Sequence, residues 1–280
     1  MKNIIKILLV LVLCAVLWLV LTSCSNSSST EEYTTPSSKQ SITFAIDGLH
    51  TTRAALVDDN DNVMTDLFVY DNGTEVLHQV NTESNFGVVT LELNYGSHNL
   101  SFIATKANNP SISNSVFSCD KILPTYAYSC NLDVNSKTGK QSIVLNRIYG
   151  TLKFLIDDEI PSNAASMIIT VSSYCKALNI STFNGTVSEY ENTIDISKKV
   201  GKSEVSWNIY FIAPVYNTPF TSTIHINIVD ADSNTIVSHT VEAELKTNRV
   251  TTIYGNYFGN NIGQSISLNT TWDDPTDVQL

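Results

Sequence analysis

The stretch Ser222-Thr223-Ile224-His225-Ile226-Asn227-Ile228-Val229 decides the fold class. Its isoleucines alternate with Thr223, His225 and Asn227, a period of two that gives one extended strand an apolar face and a polar face. An antiparallel sheet with one side on a core and the other in solvent reads this way. Working outward from it, runs of the same kind are expected at 148–156, 167–172, 206–213, 235–243, 249–257 and 264–271. Upstream they are expected at 41–46, 66–70, 74–80, 87–93, 98–104, 126–132 and 142–146. Thr, Ser, Ile, Val and Tyr dominate these runs. Asp71-Asn72-Gly73 and Asn94-Tyr95-Gly96-Ser97 stand between pairs of them as hairpin turns. No amphipathic helical pattern of useful length occurs. The chain is therefore read as all-β. The polar turn at 135–140 and a fresh series of strands after Asn146 divide it into two β-sandwiches, 41–146 and 147–280.

The N-terminus reads differently. Lys2 and Lys6 precede an apolar run at 7–21, and the run ends in Leu21-Thr22-Ser23-Cys24. A positive start, a short apolar segment and a small residue before the cut are the layout of a secretory signal. The run is shorter than the roughly 20 apolar residues that span a bilayer. Its ending resembles a lipobox, in which Cys24 is acylated and residues 1–23 are removed. Acyl chains at about 0.8 kcal/mol per buried CH2 hold a protein on a membrane with no spanning helix. Serine at position 25 points to the outer membrane. Residues 24–40 follow as a tether rich in Ser and Thr, with no hydrophobic periodicity to bury.

The 280-residue chain has a formal net charge of −11, and loss of Lys2 and Lys6 with the signal makes the remainder more acidic. Its arginines are Arg53, Arg147 and Arg249 only. Such a surface repels nucleic acid. Of the five cysteines, Cys14 leaves with the signal and Cys24 takes lipid. Cys119, Cys130 and Cys175 then remain in an oxidising compartment. Cys119 and Cys130 flank the bend at Leu123-Pro124, so a disulfide between them is an open possibility, with Cys175 as a buried odd thiol. No CxxC spacing suggests zinc.

No constellation supports an active site, a metal or a cofactor. His225 sits on the polar face of its strand, where solvent or a cross-strand hydrogen bond accounts for it. His50, His78, His98 and His239 are scattered, and no Gly-x-Ser-x-Gly elbow occurs. Asp58-Asp59-Asn60-Asp61-Asn62 lacks the glycine and final acid of a calcium loop and reads as solvated. Asp157-Asp158-Glu159 reads as a charged strand end before Pro161. Trp207, Tyr210 and Phe211 lie within a strand, where core packing is the default. Arg53, in Thr51-Thr52-Arg53-Ala54-Ala55, stands apart as the sole arginine of the first 146 residues. An exposed loop holding it suits trypsin-like cutting, and an ordinary surface arginine fits equally.

Taken in order, these segments resemble the Bacteroidales fimbrillins, the subunits of type V pili, and the related fimbrial anchor subunits. The lipobox, tether, first strand and Thr52-Arg53-Ala54 are similar to the family's start. Leu67-Phe68-Val69-Tyr70-Asp71-Asn72-Gly73 looks like its strand-and-turn segment. The 94–104 hairpin resembles the family's, with His98 where an aromatic residue is usual. Asn146-Arg147 to Pro161 resembles the opening of the second domain, and Asn248–Phe258, with a strand ending at Trp272, resembles the close. The resemblance implies two tandem transthyretin-like sandwiches, exported as a lipoprotein and anchored by Cys24 at the outer membrane and cell surface. It implies assembly with other fimbrial subunits by strand exchange. In polymerising members an arginine-specific protease removes the first strand, here ending at Arg53, and a neighbour's strand fills the groove. In anchor members no cut is needed. Thr43, Phe44 and Ile46 would then mark the exchangeable strand, with Phe44 and Ile46 pointing inward. Proline in Asp273-Asp274-Pro275 after Trp272 stops strand pairing, and the family's long C-terminal extension, not seen after it, is what a stalk position would call for. The rival reading is a glycan-binding surface lipoprotein, which an exposed triad of aromatic side chains in a pocket would favour. An enzyme is the third and weakest reading.

Overall fold

The computed structural model describes residues 38–47, 50–52, 55–57, 62–259 and 267–272. The signal segment, Cys24, residues 24–37 of the tether, Arg53 and the acidic run at 58–61 lie outside the described residues. The first twelve strands are β1 (Lys39–Asp47), β2 (His50–Thr52), β3 (Ala55–Val57), β4 (Asp66–Asp71), β5 (Thr74–Val80), β6 (Val89–Asn94), β7 (Gly96–Thr105), β8 (Ser111–Ser113), β9 (Val116–Ser118), β10 (Thr125–Val134), β11 (Gln141–Val144) and β12 (Asn146–Arg147). They are followed by β13 (Tyr149–Ile156), β14 (Ser166–Asn179), β15 (Gly185–Asp195), β16 (Val205–Ile212), β17 (Phe220–Val229), β18 (Thr235–Leu245), β19 (Arg249–Gly255) and β20 (Ser267–Trp272). One turn of 3-10 helix at Ser197–Lys199 is the only helical element among the described residues. The protein is all-β, built from several sheets.

The first half packs a three-stranded sheet, β11-β1-β6, against a five-stranded one, β12-β10-β7-β4-β5. Period two governs the first sheet: β6 alternates strictly, with Val89, Leu91 and Leu93 buried and Thr90, Glu92 and Asn94 exposed. Phe44 of β1 meets Phe102 of β7 with ring centroids 5.1 Å apart, so the two sheets close on one apolar layer. Asn72 and Gly73 both take positive φ (50° and 79°) in the two-residue turn between β4 and β5. That conformation is what Asn-Gly supplies at least cost.

The second half holds two layers, β18-β17-β14-β15 and β16-β13-β19-β20. They form one continuous sheet through a single ladder position, Cys175 opposite Ile212, where β14 passes from one layer toward the other. β14 turns that corner with irregularities between Val171 and Tyr174 and between Cys175 and Leu178, where extra residues bend a strand. Met167, Ile169 and Val171 of β14 and Ile224, Ile226 and Ile228 of β17 are at most 1% exposed. They share the core cluster with Leu152, Phe154 and Ile253. Polar partners of β17 face outward, and His225 Nδ1 lies 3.0 Å from Thr240 Oγ1 across the sheet. Gly150 is required by close approach: a Cβ there would stand 2.3 Å from the Phe211 ring and 2.5 Å from the Lys246 carbonyl oxygen.

Three features join the halves. The β8–β9 hairpin leaves the first half and pairs with the end of β14, Val116 opposite Asn179 and Ser118 opposite Ala177. Tyr126, Tyr149 and Tyr210 form a chain of edge-to-face rings with centroids 6.0 and 5.5 Å apart. The Arg147 guanidinium sits 5.7 Å from the Tyr126 ring centre and 5.5 Å from that of Tyr149. Its Nε donates to the Tyr126 hydroxyl at 3.2 Å, and its Nη1 donates to Asn248 Oδ1 at 3.1 Å.

The same excursion corrects the cysteine expectation. All three described cysteines are free thiols, and the bridge expected between Cys119 and Cys130 is not formed. Cys119 follows β9 toward the second half, where its Sγ donates to the Lys176 carbonyl at 3.7 Å. Cys130 stays in the first half on β10, opposite Leu100 of β7. Cys175 is fully buried.

Candidate functional site

The residues singled out from the first strand converge on β1. Its burial alternates along Lys39–Asp47. Ile42, Phe44 and Ile46 are 0%, 3% and 8% exposed, while Thr43 faces solvent and shares a 3.1 Å hydrogen bond with Thr90. Burying side chains of that size contributes about 1.5–3 kcal/mol each. The strand is central in its sheet. On one side it pairs antiparallel with β6, from Lys39 opposite Asn94 to Phe44 opposite Val89. On the other it pairs parallel with β11, from Phe44 opposite Gln141 to Asp47 opposite Val144. Ser142 Oγ also donates to Asp47 Oδ2.

This arrangement has a definite physical consequence. Withdrawing β1 would leave two unpaired strand edges facing each other across a slot floored by Phe102 and its apolar neighbours. Unpaired edges of this kind recruit another strand. A replacement must carry apolar side chains at alternate positions to refill the places of Ile42, Phe44 and Ile46. The chain beyond Asp47 reaches β2 and β3, which pair with each other through Thr52 and Ala55. Arg53, outside the described residues, falls between those two strands in sequence.

The other singled-out residues stay apart. His78 on β5 contacts Asp66 at 3.0 Å and stacks on Phe68. His239 on β18 contacts the Tyr257 carbonyl at 2.9 Å. Among the described residues no group of three or more His, Cys, Asp or Glu could hold a metal ion. Phe211 is buried, Trp207 and Tyr210 pack partly buried against the core, and Tyr95 is the one markedly exposed aromatic side chain among the described residues. An exposed aromatic triad, which would favour the glycan-binding reading, is not seen among the described residues.

Two polar devices escaped the sequence reading. Asp158, read as part of a charged strand end, accepts the backbone N–H of Tyr257 at 2.9 Å and of Phe258 at 2.7 Å, pinning the chain after β19 beside the end of β13. His98, read as a replaced aromatic residue, is 8% exposed and hydrogen-bonded at both ring nitrogens. Neither partner is close in a way that spacing alone reveals. The nearest signal was chemical, an acid or imidazole placed where the strand pattern calls for burial.

No protein-family model and no curated protein sequence matches the chain. Among solved structures it is similar to a candidate adhesin from Bacteroides ovatus, at 10% identity and a TM-score of 0.52 over 78% of this chain and 86% of that one. It is also similar to a candidate polysaccharide-binding protein from Bacteroides thetaiotaomicron (9% identity, TM-score 0.46, 78% and 92% covered). A third is the fimbrial anchor protein Mfa2 from Porphyromonas gingivalis (8% identity, TM-score 0.43, 77% and 90% covered). At these identities the first likeness establishes a shared fold.

Proposed function

We propose that this chain is a structural, non-catalytic subunit of a surface fimbria of the type V kind. It is held at the outer membrane through lipid on Cys24 and joins other subunits by exchange of its first strand, in support of adhesion. The observation that carries this reading is the position of β1, which is a central strand with inward Ile42, Phe44 and Ile46 and the first strand among the described residues. A strand so placed is reached by one cut on its C-terminal side, and Arg53 offers that cut to an arginine-specific protease. The lipobox ending at Cys24 and the ordered resemblance to fimbrillins support the same reading. The Bacteroides ovatus protein that shares the fold is itself described as a candidate adhesin. Uncut, the chain serves as an anchor or accessory subunit. Cut, it accepts a strand from a neighbour.

The test is treatment of the folded, unlipidated protein (residues 25–280) with an arginine-specific protease, followed by native gels and electron microscopy. The expected result is first cleavage at Arg53 and assembly that depends on protein concentration or on added partner subunits. Protection of Arg53, or a cleaved product that stays monomeric with every partner, contradicts the polymerising role.

A further inference from the structure

His98 begins the buried part of β7, at the end of the first sandwich where β6 crosses to β7. Its Nδ1 lies 2.7 Å from Asp71 Oδ2 on β4, and its Nε2 lies 2.8 Å from the Asn94 carbonyl oxygen at the end of β6. β4 and β7 belong to the five-stranded sheet and β6 to the three-stranded one, so the ring ties the two layers together. Both neighbours are acceptors. A carbonyl oxygen has no proton to give, and a carboxylate at neutral pH has none either. A neutral imidazole carries one N–H and satisfies only one of them.

From this geometry we infer that His98 is held as an imidazolium, a doubly donating cation that clasps the two layers of the first sandwich and releases one of them when it loses a proton. The clasp thereby makes the end of β6, which is paired with the first residue of β1, sensitive to pH.

The charged surroundings agree. Asp71 is the acid that faces the ring from β4. On β10 the residue opposite His98 is Leu132, and the nearest acid, Asp133, accepts instead from the Ser97 hydroxyl on the neighbouring rung. From β6 the ring meets only the Asn94 carbonyl, while Glu92 is exposed on the outer face. Lys39, across from Asn94 on β1, is exposed as well. Burial works against the charged ring, but the hydrogen bonds and charge of Asp71, with the Asn94 carbonyl, hold its pKa above the ordinary histidine value. A folded-state value above the unfolded one gives stability that is fully present below about pH 6.5. That stability is lost as the pH rises through the folded-state value.

The experiment is an NMR titration of the ring Cε1–H signals of the five histidines in the wild-type folded protein and in Asp71→Asn. The inference expects the His98 midpoint to lie above the ordinary histidine value of about 6.5 and to fall in Asp71→Asn. It also expects amide exchange at Asn94–Asn99 to accelerate once the pH passes that midpoint, beyond the base-catalysed increase seen at other amides. A wild-type His98 midpoint at or below about 6.5, or one unmoved by Asp71→Asn, overturns it. Should Asp71→Asn fail to fold, the wild-type midpoint and the wild-type amide exchange decide the outcome on their own.

Discussion

Phe44 of β1 and Phe102 of β7 meet with ring centroids 5.1 Å apart and planes inclined at 53°. Phe44 is thus a central plug by which β1 closes the apolar layer between the two sheets of the first half. Truncating it leaves a cavity between two sheets that are each held by their own hydrogen-bond ladders. Phe44→Ala is expected to cost about 3–5 kcal/mol, and Thr43→Ala, on the outer face, within about 0.5 kcal/mol. Urea unfolding of both variants checks this. Equal effects would place the strand the wrong way round.

Arg147 is the second point where one side chain serves two parts of the chain, lying against Tyr126 and Tyr149 while donating to Asn248. Lysine keeps the charge but loses the planar fork that stacks and donates at once. Arg147→Lys is therefore expected to destabilise by about 1–2 kcal/mol, measured as a lower denaturation midpoint. An unchanged midpoint would show that the seam rests on the tyrosine rings and the β8–β9 pairing alone.

The cysteines give a redox and pH prediction. Burial pushes the Cys119 thiol up to about 12 and Cys175 up to about 11, so both stay protonated and react slowly with alkylating reagents in the folded state. Folding holds protons that the unfolded chain releases above about pH 8.5. Stability therefore declines as the pH rises beyond that value. Mass spectrometry should find three reduced thiols in the folded part, and a reductant should leave the melting temperature unchanged. A two-dalton deficit assigned to Cys119 and Cys130 would restore the disulfide.

Lipidation is tested in the cell. Cys24→Ala is expected to abolish labelling by a fatty-acid probe and to remove the protein from the outer-membrane fraction. Unaltered labelling and fractionation would mean that the lipobox reading is wrong.

Strands with one buried and one solvated face were legible in the sequence. β17 and β6 alternate strictly, and the inward Phe44 and Ile46 of β1 follow from the same period. β15 was missed because none of its residues is fully buried: on its inner face only Tyr190 and Ile194 are apolar and partly buried, with Asn192 between them, too few to make an apolar period. β8 and β9 are three residues each, and β9 is held by pairing with β14, some sixty residues away, a tertiary contact that no local pattern encodes. The same displacement of 111–118 toward β14 explains why spacing suggested a Cys119–Cys130 bridge that the fold does not make. His98 and Asp158 were visible only as polar residues in the wrong place, because their partners come from other strands and turns.

The central claim is that β1 is a replaceable strand, and strand replacement measures it directly. Protein cleaved at Arg53 is mixed with a fluorescent peptide of residues 39–47 and, separately, with the same peptide carrying Phe44→Asp, and binding is followed by anisotropy. The account expects the native peptide to enter the groove and the Phe44→Asp peptide to fail, because only the former refills the site beside Phe102. A first strand that stays in place after cleavage, or an emptied groove that takes both peptides equally or neither, would contradict it.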